Sequence, residues 1–433
     1  MSDFNICIAG LGTVGSSLIN IIEKNKNKIE HRLNKKIKIV GITAKNKRKK
    51  RSFLTDNYKW YDDPLKMIKD CKPNLFIELM GYEKEISYNS IKFAIKNKVN
   101  IITANKALIA HNGNELISLA EKNKVSFLFE ASVAAAIPII NTLKSMIISN
   151  KIIKISGILN GTTNYILSNM TNNNISFSEA LKDAKKKGYV ESNPDLDLEG
   201  IDSAHKLSIL TSLAFGLNLI NFNEIYREGI ANIELQDIEF SKKLGLVIKL
   251  VSVVEQINNK IRLYVKPMML NKNSQLGKVD GVLNGIQIQS KDIEDIFLEG
   301  QGAGGYATAS SIISDIYDIC INGYLPAFGI KFNKLKKIDK LSINKDFNSF
   351  YLRLNVLDKK GVLAKITKLF NENNISIETM IQNPKNMKIK NNSIPLIIIT
   401  HKTYLQDINN LIKKISNLLE VKDKPFFMQI YKV

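Results

Sequence analysis

Cysteine is scarce: 433 residues contain three, Cys7, Cys71 and Cys320, with no CxxC pair and no histidine at metal-ligand spacing. So sparse and odd a set excludes a disulfide framework and a zinc site, and fits a reducing compartment. No run of about 18 apolar residues occurs, so no membrane-spanning helix is expected. No charged-then-apolar leader precedes the first apolar stretch at 5–9, and a cytoplasmic location is expected. Acidic residues are also in deficit, Asp+Glu 41 against Lys+Arg 62, for a net charge of +21. The excess is lysine-led and spread along the chain, which implies weak, nonspecific attraction to polyanions. Aromatic residues are only 8% and do not interleave with the lysine runs, so no specific nucleic-acid partner is expected.

What is present describes a globular chain: 44% hydrophobic and 24% charged residues. At roughly 150 residues per domain, the length suggests about three domains. The first part alternates apolar runs at 5–9, 37–42, 75–79, 99–103 and 125–129 with helix-like stretches at 14–26, 64–69, 87–98 and 114–122. That alternation predicts a doubly wound parallel sheet. From 137 the texture becomes α+β, with helices at 138–146, 178–187 and 201–215 and strands at 152–157, 262–265 and 286–289. Asn160-Gly161 reads as a turn, and Gly216 as a helix cap. A glycine-rich turn at 300–305 leads into a helix at 307–320. After a lysine-rich linker, residues 350–431 spell βαββαβ, a small ferredoxin-like unit. The expected domains are 1–136 (completed by a returning helix near 305–323), 137–325, a linker at 326–348, and 349–433.

Gly10-Leu11-Gly12-Thr13-Val14-Gly15 follows the first strand and opens a helix. In that setting Gly10 permits the tight turn, Gly12 lets backbone approach a pyrophosphate, and Gly15 lets helix and strand pack closely. The helix N-terminus supplies free N–H groups to the anion. This predicts a Rossmann-type dinucleotide site, with Thr13 and Val14 in the phosphate turn. After the second strand, Thr43-Ala44-Lys45-Asn46-Lys47-Arg48 carries no carboxylate for a ribose 2′-hydroxyl. A basic loop there, beginning at Ala44 and Lys45, favours NADP over NAD. The alternative is an ordinary solvated charge run.

Residues 188–206 are unusually acidic for this chain. Asp202 and Lys206 are four apart and share one helix face. They form either a surface ion pair of little worth or a lysine held by an aspartate on a cleft-facing helix, poised to protonate a carbonyl oxygen. Spacing alone leaves both open. His205 faces elsewhere and reads as structural.

Five segments, in order and with matching gaps, resemble homoserine dehydrogenase. They are the Gly10–Gly15 loop, Thr103-Ala104-Asn105-Lys106-Ala107-Leu108, Glu130-Ala131-Ser132-Val133 through Ile137-Pro138, Gly157-Ile158-Leu159-Asn160-Gly161-Thr162-Thr163-Asn164-Tyr165-Ile166-Leu167, and Gly188 through Lys206. Residues from Phe350 resemble an ACT domain, a small effector-binding unit. The resemblance implies reversible NAD(P)-dependent reduction of L-aspartate 4-semialdehyde to L-homoserine, in threonine, methionine and isoleucine biosynthesis. It makes Lys206 the proton donor, Asp202 its orienting partner and a substrate contact, and Lys106 a second cation at the carbonyl. Glu191 would hold the substrate amino group, with Asp197 in the same acidic cluster. Thr103, Lys106, Gly188, Glu191 and Gly304 join the cofactor set.

The resemblance also implies a monovalent cation such as Na+ on backbone oxygens of Glu130, Val133, Ala135 and Ile137. A homodimer or homotetramer is expected, with an amino-acid effector, threonine, at the ACT unit near Asn355 and Asp358–Val362. Alanines stand at 134–136 where family members usually carry glycine, and an alanine at φ > 0 is strained. Asp358-Lys359-Lys360-Gly361 lacks the usual proline of the ACT turn. Two other classes compete: a catalytically dead amino-acid sensor and a basic nucleic-acid-binding protein. The four retained residues Lys106, Glu191, Asp202 and Lys206 weigh against the first, and the absence of a nucleic-acid motif against the second.

Overall fold

Short apolar runs become strands where a sheet covers them, and this chain begins with six strands. The structure, a computed structural model, describes every residue except 82–84, 191–193, 383–392 and 432–433. Strands β1 (Ser2–Ala9), β2 (Lys35–Thr43), β3 (Trp60–Tyr61), β4 (Leu75–Glu78), β5 (Asn100–Thr103) and β6 (Phe127–Leu128) form one parallel sheet in the order β3-β2-β1-β4-β5-β6. The order reverses between β1 and β4, so a crevice opens beyond their carboxyl ends. Helices Thr13–Lys24 and Gly305–Asn322 share one apolar core with β1, through Leu18, Ile19, Ile22, Ile312 and Ile316.

The chain divides into two compact units. The first comprises Met1–Gly161, Ile201–Ile225 and Val282–Ile338. Beside the parallel sheet it contains antiparallel Ile152–Ile158, Leu283–Ser290 and Ile296–Gln301. Its helix Ile201–Phe215 is buried at every residue from Asp202 to Ala214. It packs on helices Lys106–Lys122 and Ile139–Met146. Gly216 takes a left-handed φ of 62° and ends that helix, as the sequence predicts.

The second unit comprises Thr162–Gly200, Tyr226–Gly281 and Asp339–Val433. A long hairpin, Leu246–Ile257 with Lys260–Asn271, is its backbone. Its C-terminal part has the expected βαββαβ order: strands Phe347–Leu357, Ile377–Gln382, Ser393–Thr400 and Phe426–Tyr431, with helices Val362–Glu372 and Leu405–Ile415. The last strand runs parallel to residues 268–270, so this small sheet extends the hairpin. Asp237, fully buried, accepts from Arg353 Nε and the Tyr351 hydroxyl, each at 2.8 Å. That network ties helix Leu235–Lys243 to the first ACT-like strand.

Several elements differ from the sequence reading. Asn160-Gly161 is no turn: a helix, Gly161–Asn173, starts there. Its buried positions include Asn164, Ser168 and Asn169, so burial on polar positions hides the amphipathic signal that would reveal it. Periodicity singles out neither Leu246–Ile257 nor Leu235–Lys243. The first is a strand buried along most of its length and lacks alternation for that reason. Among the described residues no helix is long and apolar enough to cross a membrane.

Lys249, on the hairpin, is 4% exposed. Its ammonium donates to Val279 O at 2.6 Å, Asn164 Oδ1 at 3.0 Å and Ser168 Oγ at 3.1 Å. Burial nevertheless pulls it from the ordinary 10.5 to about 8. Between those values the unfolded chain keeps a proton that the folded chain releases, so stability rises with pH there. The contribution is complete above pH 10.5 and lost as pH falls through 8. Denaturant titrations from pH 7.5 to 10.5 are expected to show an added slope of at most about 1.4 kcal/mol per pH unit, and Lys249→Met is expected to remove it.

Candidate active site

The glycine loop sits at the carboxyl end of β1. Gly10 has φ +101°, and a Cβ there would lie 2.3 Å from the Leu79 backbone. Its N–H donates to Thr43 O at 2.9 Å, closing the loop against β2. A Cβ on Gly15 would lie 2.0 Å from Gly10 O, so the helix starts as close to the strand as backbone permits. Gly12 differs, for a Cβ there meets nothing within 4 Å. It caps helix Thr13–Lys24 and faces open space, and that space is what an approaching pyrophosphate requires. Gly304, with φ 117°, caps helix Gly305–Asn322, and a Cβ on Gly305 would meet Ser17 and Thr13.

A cleft of about 1100 Å³ opens here, lined by Gly10, Gly12, Ala44, Lys45, Lys47 and Arg51 among others. Arg51 does not reach outward. It donates to the carbonyls of Asn46 (2.6 Å), Lys49 (2.8 Å), Lys47 (3.1 Å) and Leu11 (3.4 Å), and lies over the Trp60 ring at 5.3 Å. Lysines 45, 47 and 49 are left as the loop's charges at the cleft. Val14 packs against the sheet core.

At the end of β5, Thr103 and Asn105 shape the start of helix Lys106–Lys122. Asn105 caps it by accepting from Leu108 N at 3.1 Å. Lys106, its first residue, places its ammonium 3.1 Å from Asp202 Oδ1. The other oxygen of Asp202 accepts from Lys206 Nζ at 2.8 Å and Asn160 Nδ2 at 2.9 Å. Lys206 also donates to Leu159 O at 2.6 Å. Asp202 and Lys206 are each 7% exposed, whereas the Lys106 side chain is 40% exposed. The surface-pair alternative for Asp202 and Lys206 is therefore set aside. Burial works to raise the Asp202 carboxyl, but Lys106, Lys206 and the Asn160 bond outweigh it and hold it far below the usual carboxylate range. One buried, ionised carboxylate thus lies between two ammonium groups, one buried and one part-exposed.

Gly188 (φ 74°) and Asp197, on the short helix Asp195–Leu198, belong to the second unit, and Glu191 lies outside the described residues. The Thr103 hydroxyl is committed to Glu78 at 2.7 Å, in a residue with no exposure. Around the expected cation site, Ala134 and Ala135 do adopt positive φ, 54° and 36°. Ala135 O accepts from the Ser311 hydroxyl and Ile137 O from Ile139 N. The Glu130 carboxylate receives the N–H groups of Ile140 and Asn141, while burial pushes it up to about 7. Among the described residues no group of three His, Cys, Asp or Glu side chains could hold a metal. Sequence reasoning missed Asn160, Leu159 O and Glu78. A signal existed for Glu78: a glutamate closing an otherwise apolar strand at the crevice edge.

Three family models cover the chain. Residues 10–130 match "Homoserine dehydrogenase, NAD binding domain", 138–317 match "Homoserine dehydrogenase", and 350–419 match "ACT domain". A homoserine dehydrogenase of Helicobacter pylori is 36% identical, covering 98% of each chain. The crystal structure of a homoserine dehydrogenase from Thiobacillus denitrificans superposes with a TM-score of 0.90 at 30% identity, covering all of this chain and 98% of that one. A mutant hyperthermophilic archaeal homoserine dehydrogenase, solved in complex with NADPH, gives a TM-score of 0.63 at 27% identity over 74% of this chain and 98% of its own.

The two inner glycines separate folding from binding. Gly12→Ala, whose methyl group meets no protein atom, is expected to keep the melting temperature and weaken NADPH binding by about tenfold or more, through occupying the phosphate approach. Gly15→Ala, which must push helix from strand, is expected to lower both. Calorimetric titration beside thermal melts checks the pair.

Proposed function

The chain belongs to the homoserine dehydrogenase family, and from that premise we propose that it interconverts L-aspartate 4-semialdehyde and L-homoserine with Lys206 as proton donor. The observation that carries this reading is the buried Asp202–Lys206 pair, joined by the part-exposed Lys106 and braced by Asn160. The nicotinamide, when bound, supplies the hydride or takes it up. The chain's residues manage the charge that develops on the carbonyl oxygen. Asp202 and Leu159 O take two of the three Lys206 protons, so the third is the one to be given to the substrate. Lys106 adds a second positive charge, and Asp202, held ionised, keeps both ammonium groups from repelling one another. In the oxidative direction the same lysine accepts the alcohol proton.

The open face of Gly12 fits a dinucleotide, and the lysine-bearing loop past β2 supports NADP as the preferred form. The NADPH held by the archaeal relative agrees with that preference. The carbonyls of Glu130, Val133, Ala135 and Ile137 are a neutral oxygen set, which fits a hard monovalent cation such as Na+. Gly188, Glu191 and Asp197 complete the proposed substrate and cofactor contacts. The ACT-like unit would take an amino acid near Asn355, whose amide is bonded to Asp423 at 2.8 Å. Threonine is the proposed effector, in a cytoplasmic homodimer or homotetramer serving threonine, methionine and isoleucine synthesis.

Following NADPH oxidation with aspartate semialdehyde tests the reading. Lys206→Ala is expected to lower kcat by about 10³-fold or more while NADPH still binds. Turnover within a few-fold of the unsubstituted chain would remove Lys206 from the chemistry. Lys45→Ala with Lys47→Ala is expected to reduce the NADPH/NADH preference by about tenfold, and an unchanged ratio would return that loop to a solvated charge run.

A further inference from the structure

Glu78 is the last residue of β4, and its register partners are Ala9 of β1 and Thr103 of β5. It therefore stands at the crevice edge, where the strand order reverses. It has no exposure. The rest of β4 is Leu75, Phe76 and Ile77, and an apolar fourth residue would satisfy the packing without the cost of burying a carboxylate. The carboxylate is instead surrounded by donors. Oε1 accepts from Met80 N at 2.8 Å and Ser87 Oγ at 3.0 Å, and Oε2 from Thr103 Oγ1 at 2.7 Å.

The Thr103 arm leads to the site. The same hydroxyl accepts from Asn105 N at 3.0 Å, so its proton is left for Glu78. Asn105 caps the helix whose first residue is Lys106. The Lys106 side chain is long and 40% exposed, so packing alone does not fix it. The direction in which the helix start launches it decides whether its ammonium reaches Asp202. We propose that Glu78 is a positioning residue that, through Thr103 and the Asn105 cap, aims Lys106 at Asp202. The carboxylate also accepts from the N–H of Met80, which lines the cofactor cleft, a contact that a glutamine oxygen can keep. This rests on the reading of Lys106 as a cation at the substrate carbonyl.

Two readouts test it in the full-length chain. Glu78→Gln keeps the shape but turns one acceptor into an amide donor among donors. It is expected to lower kcat for aspartate semialdehyde about 30-fold with the NADPH Kd within about threefold. In a Lys106→Ala background the same substitution is expected to cost less than about threefold, because the two act in series. Ser87→Ala removes a different donor from Glu78 but spares the Thr103 arm, and is expected to keep kcat within about twofold. The second readout needs no turnover: trace acetylation of Lys106, followed by peptide mass spectrometry. Its rate is expected to rise about fivefold in Glu78→Gln, as the bond to Asp202 is lost, and to stay unchanged in Ser87→Ala.

An equal kinetic cost in both backgrounds, with unchanged acetylation, overturns the proposal and leaves Glu78 as packing only. Should Glu78→Gln fail to fold, Thr103→Val enters the same cycle with the same criteria. If the unsubstituted chain turns over no aspartate semialdehyde, the reaction reading falls, and acetylation alone decides for or against the aiming of Lys106.

Discussion

A single ionised carboxylate, Asp202, joins three separate stretches of the chain at one point. Lys106 comes from the helix after β5, Lys206 from one turn further along the helix of Asp202, and Asn160 from the end of strand Ile152–Ile158. None of these contacts would be worth much at a surface. In a helix buried from residue 202 to 214 they become obligatory, since an unpaired ammonium or carboxylate there costs several kcal/mol. The charge pattern explains why a helix with so little amphipathic contrast folds inward: its polar face has partners.

The same logic recurs at three other buried charged groups. Asp237 is matched by Arg353 and Tyr351, Lys249 by three oxygens, and Glu78 by three donors. Each satisfied group fastens one element of the fold to another, a task apolar packing performs with less directional control. Positive φ occurs in two of the segments already described. Gly10 at φ +101° closes the phosphate turn, while Ala134 and Ala135 hold positive φ beside the Glu130 carboxylate without the freedom of glycine. The second of these departs from the glycines that family members usually carry, and the backbone keeps its left-handed course there despite the methyl groups.

Much of the fold was legible because its signals are local. The strand–helix alternation of the first 130 residues, the glycine spacing and the βαββαβ order of the C-terminal unit rest on neighbours in sequence. The helix Ile201–Phe215 and its Gly216 cap were also readable. What escaped is buried on more than one face. Leu246–Ile257 lacks alternation, and Gly161–Asn173 hides among asparagines and serines that turn inward to partners such as Lys249. Periodicity measures the contrast between a wet face and a dry one, and these elements have little.

The site divides along the same line. Residue identities and short spacings were enough to name the phosphate loop, the basic segment after β2, and Asp202 with Lys206 one turn apart. They could not tell a surface ion pair from a buried one, because that depends on what covers the helix. Nor could they bring Lys106 and Asn160 to Asp202 across gaps of 96 and 42 residues, place the Leu159 carbonyl on Lys206, or turn Arg51 inward onto its own loop. Local chemistry is written in the order of the residues, whereas burial and long-range hydrogen bonds exist only once the chain has closed on itself.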